Sequence, residues 1–295
     1  MEGLTSVLVT GSDGFVGRHL VRRLKDKGVA VEEFDITNGK DTSDEKSFEG
    51  IRKVDAVVHL AARTFVPDAF ENPARVYREN INGTLNVLEF CRKNAIKKIV
   101  YASSYVYGRP ECLPIDESHP TGIQNPYGRS KLMAEALMLG YYEDYAIIPV
   151  ILRPFNIYGP GQGDVFLIPS LIRQCLCQGD TIVVKDLMPR RDYIYIDDVI
   201  EAYMYALFKY KSTAPEIFNI GLGESYSVKE IIDKLQTIAA TNKKIISEGQ
   251  VRKNEIPDCV ADTKKIEKAF GWTPKYTIDE GLRKTVSVAA GLCKR

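Results

Sequence analysis

Tyr127 and Lys131 stand four residues apart in 126-PYGRSK-131. On a helix these positions share one face, one turn apart. A free phenol ionises near pH 10 and is a poor base at neutral pH. An ammonium beside it favours the phenolate and lowers that value. The pair can then act as a general acid/base. Taken alone, a tyrosine and a lysine at this spacing are most often a surface pair. A third group shifts the balance: 97-KKIVYASS-104 ends in Ser103 and Ser104. Either could hydrogen-bond a substrate oxygen and pass a proton, although a serine at a strand end is also a common turn or cap residue.

The chemistry needs a partner, and 10-TGSDGFVG-17 offers a place for one. Gly11, Gly14 and Gly17 form a strand-to-helix turn that lets a pyrophosphate approach the backbone closely. The helix that follows presents free N–H groups and a partial positive charge. Three turn glycines would be weak evidence by themselves. Here a strand precedes them, an amphipathic helix follows, and Asp35 ends the next strand, where it can accept hydrogen bonds from an adenosine ribose. A carboxylate repels a 2′-phosphate, so Asp35 favours NAD over NADP. Arg18 and Lys40 lie close enough in sequence to argue the other way, which keeps NADP open.

These groups need elements to position them. The first half alternates strand and helix: strands at 4–10, 30–36, 54–62, 97–104 and 146–154, with helices at 14–28, from Pro73 to about 93, and 126–141. The run 54-VDAVVHLAA-62 is apolar almost throughout, as a strand covered on both faces requires. This order predicts an α/β fold, a doubly wound parallel sheet of Rossmann type. After Pro154 the chain turns Gly- and Pro-rich and its elements shorten. Residues 1–154 plus about 190–212 are expected to form the dinucleotide-binding domain. A smaller, discontinuous domain of about 155–189 plus 213–295 is expected to hold the substrate.

Composition narrows the class further. Lys plus Arg (40) against Asp plus Glu (39) gives a net charge of +1, so nothing asks for nucleic acid or a membrane surface. At 44% hydrophobic residues over 295 positions the chain can fill a large core. No apolar run reaches membrane-spanning length, and the N-terminus runs straight into a strand. Six scattered cysteines and three separated histidines give no metal-ligand spacing. His59, inside an apolar strand, reads as a packed imidazole, and 197-DD-198 reads as a helix start. These features describe a soluble, cytoplasmic protein without a metal.

The chain resembles the extended short-chain dehydrogenase/reductases, in particular their nucleotide-sugar epimerase/dehydratase group. The resemblance runs through 10-TGSDGFVGRHL-20, Asp35, 57-VVHLAA-62, 80-NINGTLNVLE-89, 100-VYASSYVYG-108, 127-YGRSK-131, 152-LRPFNIYGPGQ-162, 191-RDYIYIDDV-199 and 271-GWTPK-275. It implies that Gly11, Asp13, Gly14, Phe15, Val16 and Gly17 cradle the dinucleotide and that Asp35 holds its ribose. It places Leu60, Ala61, Ala62, Asn80 and Pro154 along the cofactor. It makes Tyr127 the acid/base, with Lys131 and Ser103 as its catalytic partners. It assigns Thr64, Ser103, Ser104, Asn156, Arg191 and Arg252 to a nucleotide-diphosphate sugar. The group also pairs helices like those near 73–93 and 126–141 across a twofold axis, which implies a homodimer. Related dehydratases carry an Asp-Glu pair just before VYG; here Ser104 and Tyr105 stand there, so elimination lacks its proton donor. The favoured reaction is an NAD-dependent 4-epimerisation through a 4-keto sugar. A 4-ketoreductase that consumes NAD(P)H is the alternative, and a non-catalytic dinucleotide-binding module is a third reading.

Overall fold

The structure, a computed structural model, describes residues 3–123, 125–177, 179–250 and 255–293. The chain alternates as expected from its start: β1 (Ser6–Thr10), α1 (Phe15–Asp26), β2 (Ala30–Phe34) and β3 (Ala56–His59). Next come α2 (Val66–Glu71), α3 (Pro73–Tyr77), a π turn (Arg78–Asn82) and α4 (Gly83–Lys93). β4 (Lys98–Ala102), α5 (Pro126–Tyr145) and β5 (Ile148–Pro154) complete the first half. The second half holds β6 (Asn156–Tyr158), α6 (Leu167–Leu176), β7 (Thr181–Val184), β8 (Arg190–Tyr195), α7 (Ile196–Phe208) and β9 (Glu216–Ile220). It closes with β10 (Ser225–Ser227), α8 (Val228–Ala239), β11 (Lys244–Ser247), α9 (Lys264–Phe270) and α10 (Ile278–Cys293).

Six strands form one parallel sheet in the order β2-β1-β3-β4-β5-β9. The order reverses between β1 and β3, and the crevice at the carboxyl ends there is where such sheets receive ligands. Strand alternation sorts the core into two layers. Val7, Val9, Ala56, Val58 and Val100 point to the side packed with Leu20 and Leu24 of α1 and Val199 of α7. Leu8, Val57, Ile99 and Tyr101 point to the side covered by Val87 and Leu88 of α4 and Ala134 and Met138 of α5. That is why the strands read as continuous apolar runs: both faces are buried.

Three details differ from the sequence expectation. Of the segment at about 190–212, which the sequence places with the dinucleotide-binding half, only the helix packs against the main sheet. Strand β8 joins a three-stranded sheet, β10-β8-β6, because β6 leaves the main sheet directly after β5 and takes β8 with it. The sixth strand of the main sheet is β9, from the stretch assigned by sequence to the substrate unit; Phe155 N–H extends its pairing by donating to Ile220 O at 2.9 Å. The expected helix from Pro73 to about 93 is interrupted by the π turn. No helix among the described residues is long and apolar enough to cross a membrane.

Candidate active site

The glycine turn is closed by contacts that leave no room for side chains. Gly11 has φ +69°, and a Cβ there would lie 2.7 Å from the Ala61 nitrogen. A Cβ on Gly17 would lie 2.0 Å from Gly11 O and 2.7 Å from Ser12 O. The turn therefore rests on 60-LAA-62 beneath it, and α1 starts hard against it. Gly14 is the N-cap of α1, with no side-chain cap and no acid in the first turn, so Phe15 and Val16 bring backbone N–H groups to the helix end without a capping side chain over them. A dinucleotide's diphosphate fits such an end. Gly17→Ala forces the loop apart and is expected to weaken dinucleotide binding by roughly 5- to 150-fold, the equivalent of an overpacking strain of about 1–3 kcal/mol. Cofactor released from purified, heat-denatured protein measures this.

Asp35 lies at the end of β2 and faces the same turn. Its Oδ2 accepts the Asp13 N–H at 3.0 Å, and its Oδ1 accepts the Thr37 N–H at 3.1 Å. The carboxylate is thus held in place by backbone donors, half-buried, with lone pairs left for a ribose. The two basic residues that kept NADP open are occupied. Arg18 Nη2 donates to Gly161 O at 2.9 Å, and Lys40 Nζ pairs with Glu32 at 2.7 Å. His59 is a packed core imidazole: its ring nitrogens meet Thr10 Oγ1 at 2.7 Å and Thr84 Oγ1 at 3.0 Å, and burial, aided by the Lys131 charge, pushes its pKa down to about 3.

Asn125 caps α5 by accepting the Gly128 N–H at 2.8 Å, and Pro126 occupies the first turn, as the sequence predicts. Tyr127 and Lys131 then fall on one face toward the carboxyl end of β4. Lys131 is 2% exposed; its Nζ donates to Ala102 O at 2.7 Å and lies 4.8 Å over the Tyr101 ring and 5.9 Å from the centre of the Tyr127 ring. Burial lowers the Lys131 pKa to about 7, with the Glu135 charge opposing. Burial raises that of Tyr127, and a hydrogen bond with the Ser104 side chain offsets part of the rise. The expected lowering of the phenol by Lys131 is not what the structure shows, because desolvation outweighs an ammonium drawn toward a backbone carbonyl. Ser103 is 3% exposed, and its hydroxyl donates to Glu135 Oε1. Asn80 sits in the π turn with its amide already engaged: Oδ1 accepts the Arg63 N–H at 2.7 Å, while Nδ2 donates to Ser130 Oγ at 2.8 Å. It ties the turn after β3 to the first turns of α5.

The residues assigned to the sugar nucleotide are more dispersed. Thr64 is exposed, and Pro154 ends β5 beside Phe155. Asn156 Nδ2 donates to Asp192 O at 3.3 Å. Arg191 pairs with Glu255 and donates to Ile256 O at 2.6 Å; Arg190 pairs with Glu230 at 2.7 Å. Arg252 lies outside the described residues. At the dehydratase position, Tyr105 donates to Gly108 O and packs edge-on against Phe155. Sequence reasoning missed Glu135 and Arg153. The signal was present, since an arginine inside 147-IIPVILRPF-155 and a glutamate inside 132-LMAEALM-138 are charges in apolar runs that demand a buried partner. Among the described residues no cluster of three or more His, Cys, Asp or Glu could hold a metal ion.

The site can be set against known proteins. The family model described as NAD dependent epimerase/dehydratase family matches residues 7–221. A protein of Methanocaldococcus jannaschii, provisionally named UDP-glucose 4-epimerase, is 35% identical over 95% of this chain and 97% of its own length. The GDP-6-deoxy-D-mannose reductase of Pseudomonas aeruginosa is 33% identical over 95% of this chain and 96% of its own. The crystal structure of UDP-glucose 4-epimerase with UDP-glucose from Thermotoga maritima superposes with a TM-score of 0.92 at 29% identity, covering 98% of this chain and 100% of that one.

Proposed function

We propose that this chain, which belongs to the NAD dependent epimerase/dehydratase family, is a nucleotide-sugar 4-epimerase that holds NAD and returns the sugar with C4 inverted. The observation that supports the reading is the gathering of Ser103, Tyr127 and Lys131 at the carboxyl end of β4, with no carboxylate at positions 104 and 105. Gly11, Gly14, Gly17 and the N-terminus of α1 would hold the diphosphate of the dinucleotide. Asp35 would hold its adenosine ribose, with NAD favoured because Arg18 and Lys40 are engaged elsewhere. The nicotinamide supplies the hydride acceptor and donor. Tyr127 takes the proton of the C4 hydroxyl as it is oxidised and returns it to the 4-keto oxygen. Lys131 and the buried surroundings keep water from the phenol. Inversion requires the 4-keto sugar to present its other face, so the sugar must turn while its nucleotide stays anchored in the lobe built on the β10-β8-β6 sheet, where Asn156, Arg191 and Arg252 are the proposed contacts.

The test is direct. Cofactor is released from the purified chain and identified, and UDP-, dTDP- and GDP-sugars are assayed with and without added NAD(P)H. C4 inversion without net cofactor use supports the epimerase. Net oxidation of NAD(P)H on a 4-keto sugar supports the second reading, a 4-ketoreductase, which the likeness to the Pseudomonas reductase favours. Neither activity, with a retained dinucleotide, supports a binding module.

The proposal extends to assembly and location. Met133 of α5 is 51% exposed and Leu85 of α4 37%, on adjacent helices that pack against each other. Such a paired apolar surface suits a homodimer through α4 and α5. Sedimentation should give twice the chain mass at micromolar concentration; a stable monomer there sinks the dimer. Free cysteines, including buried Cys91, Cys175 and Cys259, suit a reducing cytoplasm.

A further inference from the structure

We infer that Asn219 is a positioning residue: it hangs the segment 255–262, which backs the proposed nucleotide clamp, from the same buried network that holds Ser103, and so fixes the distance between the anchored nucleotide and the reacting carbon. The inference rests on the epimerase reading and deepens it by naming what keeps the anchor in register with the chemistry.

The segment is tied to the clamp on one side. Arg191 pairs with Glu255 and donates from Nη1 to Ile256 O at 2.6 Å, while the Arg190 N–H donates to Pro257 O at 2.9 Å. Buried Asp192 accepts the Ala261 N–H on Oδ2 at 3.1 Å. These bonds bind 255–262 to β8, the middle strand of the substrate-lobe sheet. On its other side the segment meets the loop after β4. The Ile115 N–H donates to Val260 O at 2.8 Å, and the Asp262 N–H donates to Ile115 O at 2.8 Å. The same Ile115 carbonyl accepts from Asn219 Nδ2 at 2.9 Å, which fills both of its lone pairs.

Asn219 lies on β9 of the main sheet, fully buried, and its amide can face only one way. Ile115 O is an acceptor, so it takes the NH₂. Oδ1 accepts the Tyr107 hydroxyl at 2.5 Å, because the Tyr107 oxygen already accepts from Arg153 Nη1 at 3.0 Å and has one proton to give. Arg153 then grips Glu135 with a two-pronged fork, Nε to Oε1 at 3.0 Å and Nη2 to Oε2 at 2.6 Å, and Oε1 also accepts the Ser103 hydroxyl. The Asn219 N–H is used as well, on Glu117 Oε1 at 2.7 Å. Ser103, Glu135, Arg153, Tyr107, Asn219 and Ile115 thus form one unbroken line of buried bonds from the reacting face to the clamp segment. In a low-dielectric interior such bonds are strong and a gap in them is costly, so the line holds one length. Inversion needs this, because the 4-keto sugar must turn without leaving and only its nucleotide holds it then. By that point the hydride of C4 has passed to NAD and the proton of its hydroxyl to Tyr127. A ketone that escapes there leaves one NADH on the chain, and that chain can no longer oxidise a new sugar.

The test uses the full chain loaded with NAD and the UDP-, dTDP- or GDP-sugar that the wild-type chain inverts. Asn219→Leu keeps the branched shape and removes both amide bonds, while Ile115 O keeps the Asp262 N–H. Its kcat/KM should fall up to roughly a hundredfold, mainly through KM. Activity should also decay during turnover as bound NADH builds up, read by its near-ultraviolet absorbance. Tyr107→Phe keeps the ring and cuts the same line one bond earlier, so it should give the same rise in KM and the same NADH. The double variant should be no worse than the more impaired single one, since a line cut twice is no looser than a line cut once. Should Asn219→Leu fail to fold, Tyr107→Phe carries the test alone. Two results overturn the inference: variants that keep the wild-type KM and form no NADH, whatever their melting temperature, or losses that add in the double variant. A wild-type chain silent in C4 inversion overturns the epimerase reading instead, which the first measurement reveals before any variant is made.

Discussion

Tyr127→Phe is expected to lower C4 turnover by on the order of 10²–10⁴-fold while the chain still folds and still carries its dinucleotide. The ring remains, so its packing beside Lys131 and the Asn125 cap of α5 are untouched. Only the oxygen that exchanges a proton with C4 is lost. The hydrogen bond with Ser104 goes with it, at a cost of about 1 kcal/mol, because half-buried Ser104 can turn to another partner. Stopped turnover with a near-normal melting temperature and unchanged bound cofactor is the predicted pattern. Near-normal turnover would refute the assignment of the acid/base.

Lys131→Met should do two opposite things at once: remove most activity and make the protein more stable. Lys131 carries an ammonium whose pKa falls from 10.5 to about 7 in the fold, mainly because it is buried. Between those values the unfolded chain holds a proton that the folded chain has lost, so this group disfavours folding increasingly as the pH drops from 10.5 toward 7. Methionine has similar length and no charge to desolvate. After allowance for the lost bond to Ala102 O, the variant should gain on the order of 3 kcal/mol at pH 7, and near pH 10.5 that gain should give way to a small loss, because the bond is still missing and no charge remains to be desolvated. Urea midpoints at the two pH values measure it. A variant that is no more stable at pH 7, or equally stabilised at both, contradicts the reading. The lysine is then a group kept at the expense of stability, as functional sites often show.

What the sequence discloses and what it hides follow from burial. The strands of the main sheet are apolar on both faces, so β1, β3, β4 and β5 stand out as largely apolar runs, and the start of the helix read at 126–141 announces itself through Asn125 and Pro126. β9 does not, because Glu216–Ile220 is five residues with a charge and an amide, and its burial comes from pairing with a strand far away in the chain. The π turn is equally silent: nothing in 78-RENIN-82 marks one extra residue in a helix. At the site, the reacting residue types were readable and the buried pair behind them was not. Ser103 and Ser104 are adjacent and identical in sequence. Only the Glu135–Arg153 pair, contributed by two other elements, makes one of them face the core.

The late arrival of β9 has a consequence for how the molecule is made. Residues 155–215, which build β6, α6, β7, β8 and α7, must leave the ribosome before the edge of β5 can be covered. Until then Ile148–Pro154 presents an open edge to other chains, and pairing over so long a separation is intrinsically slow. The two lobes are therefore one cooperative unit in biosynthesis. A fragment cut at residue 212 to isolate the nucleotide-binding half would end with that edge still open, and it should be recovered as aggregate rather than as a working half-enzyme.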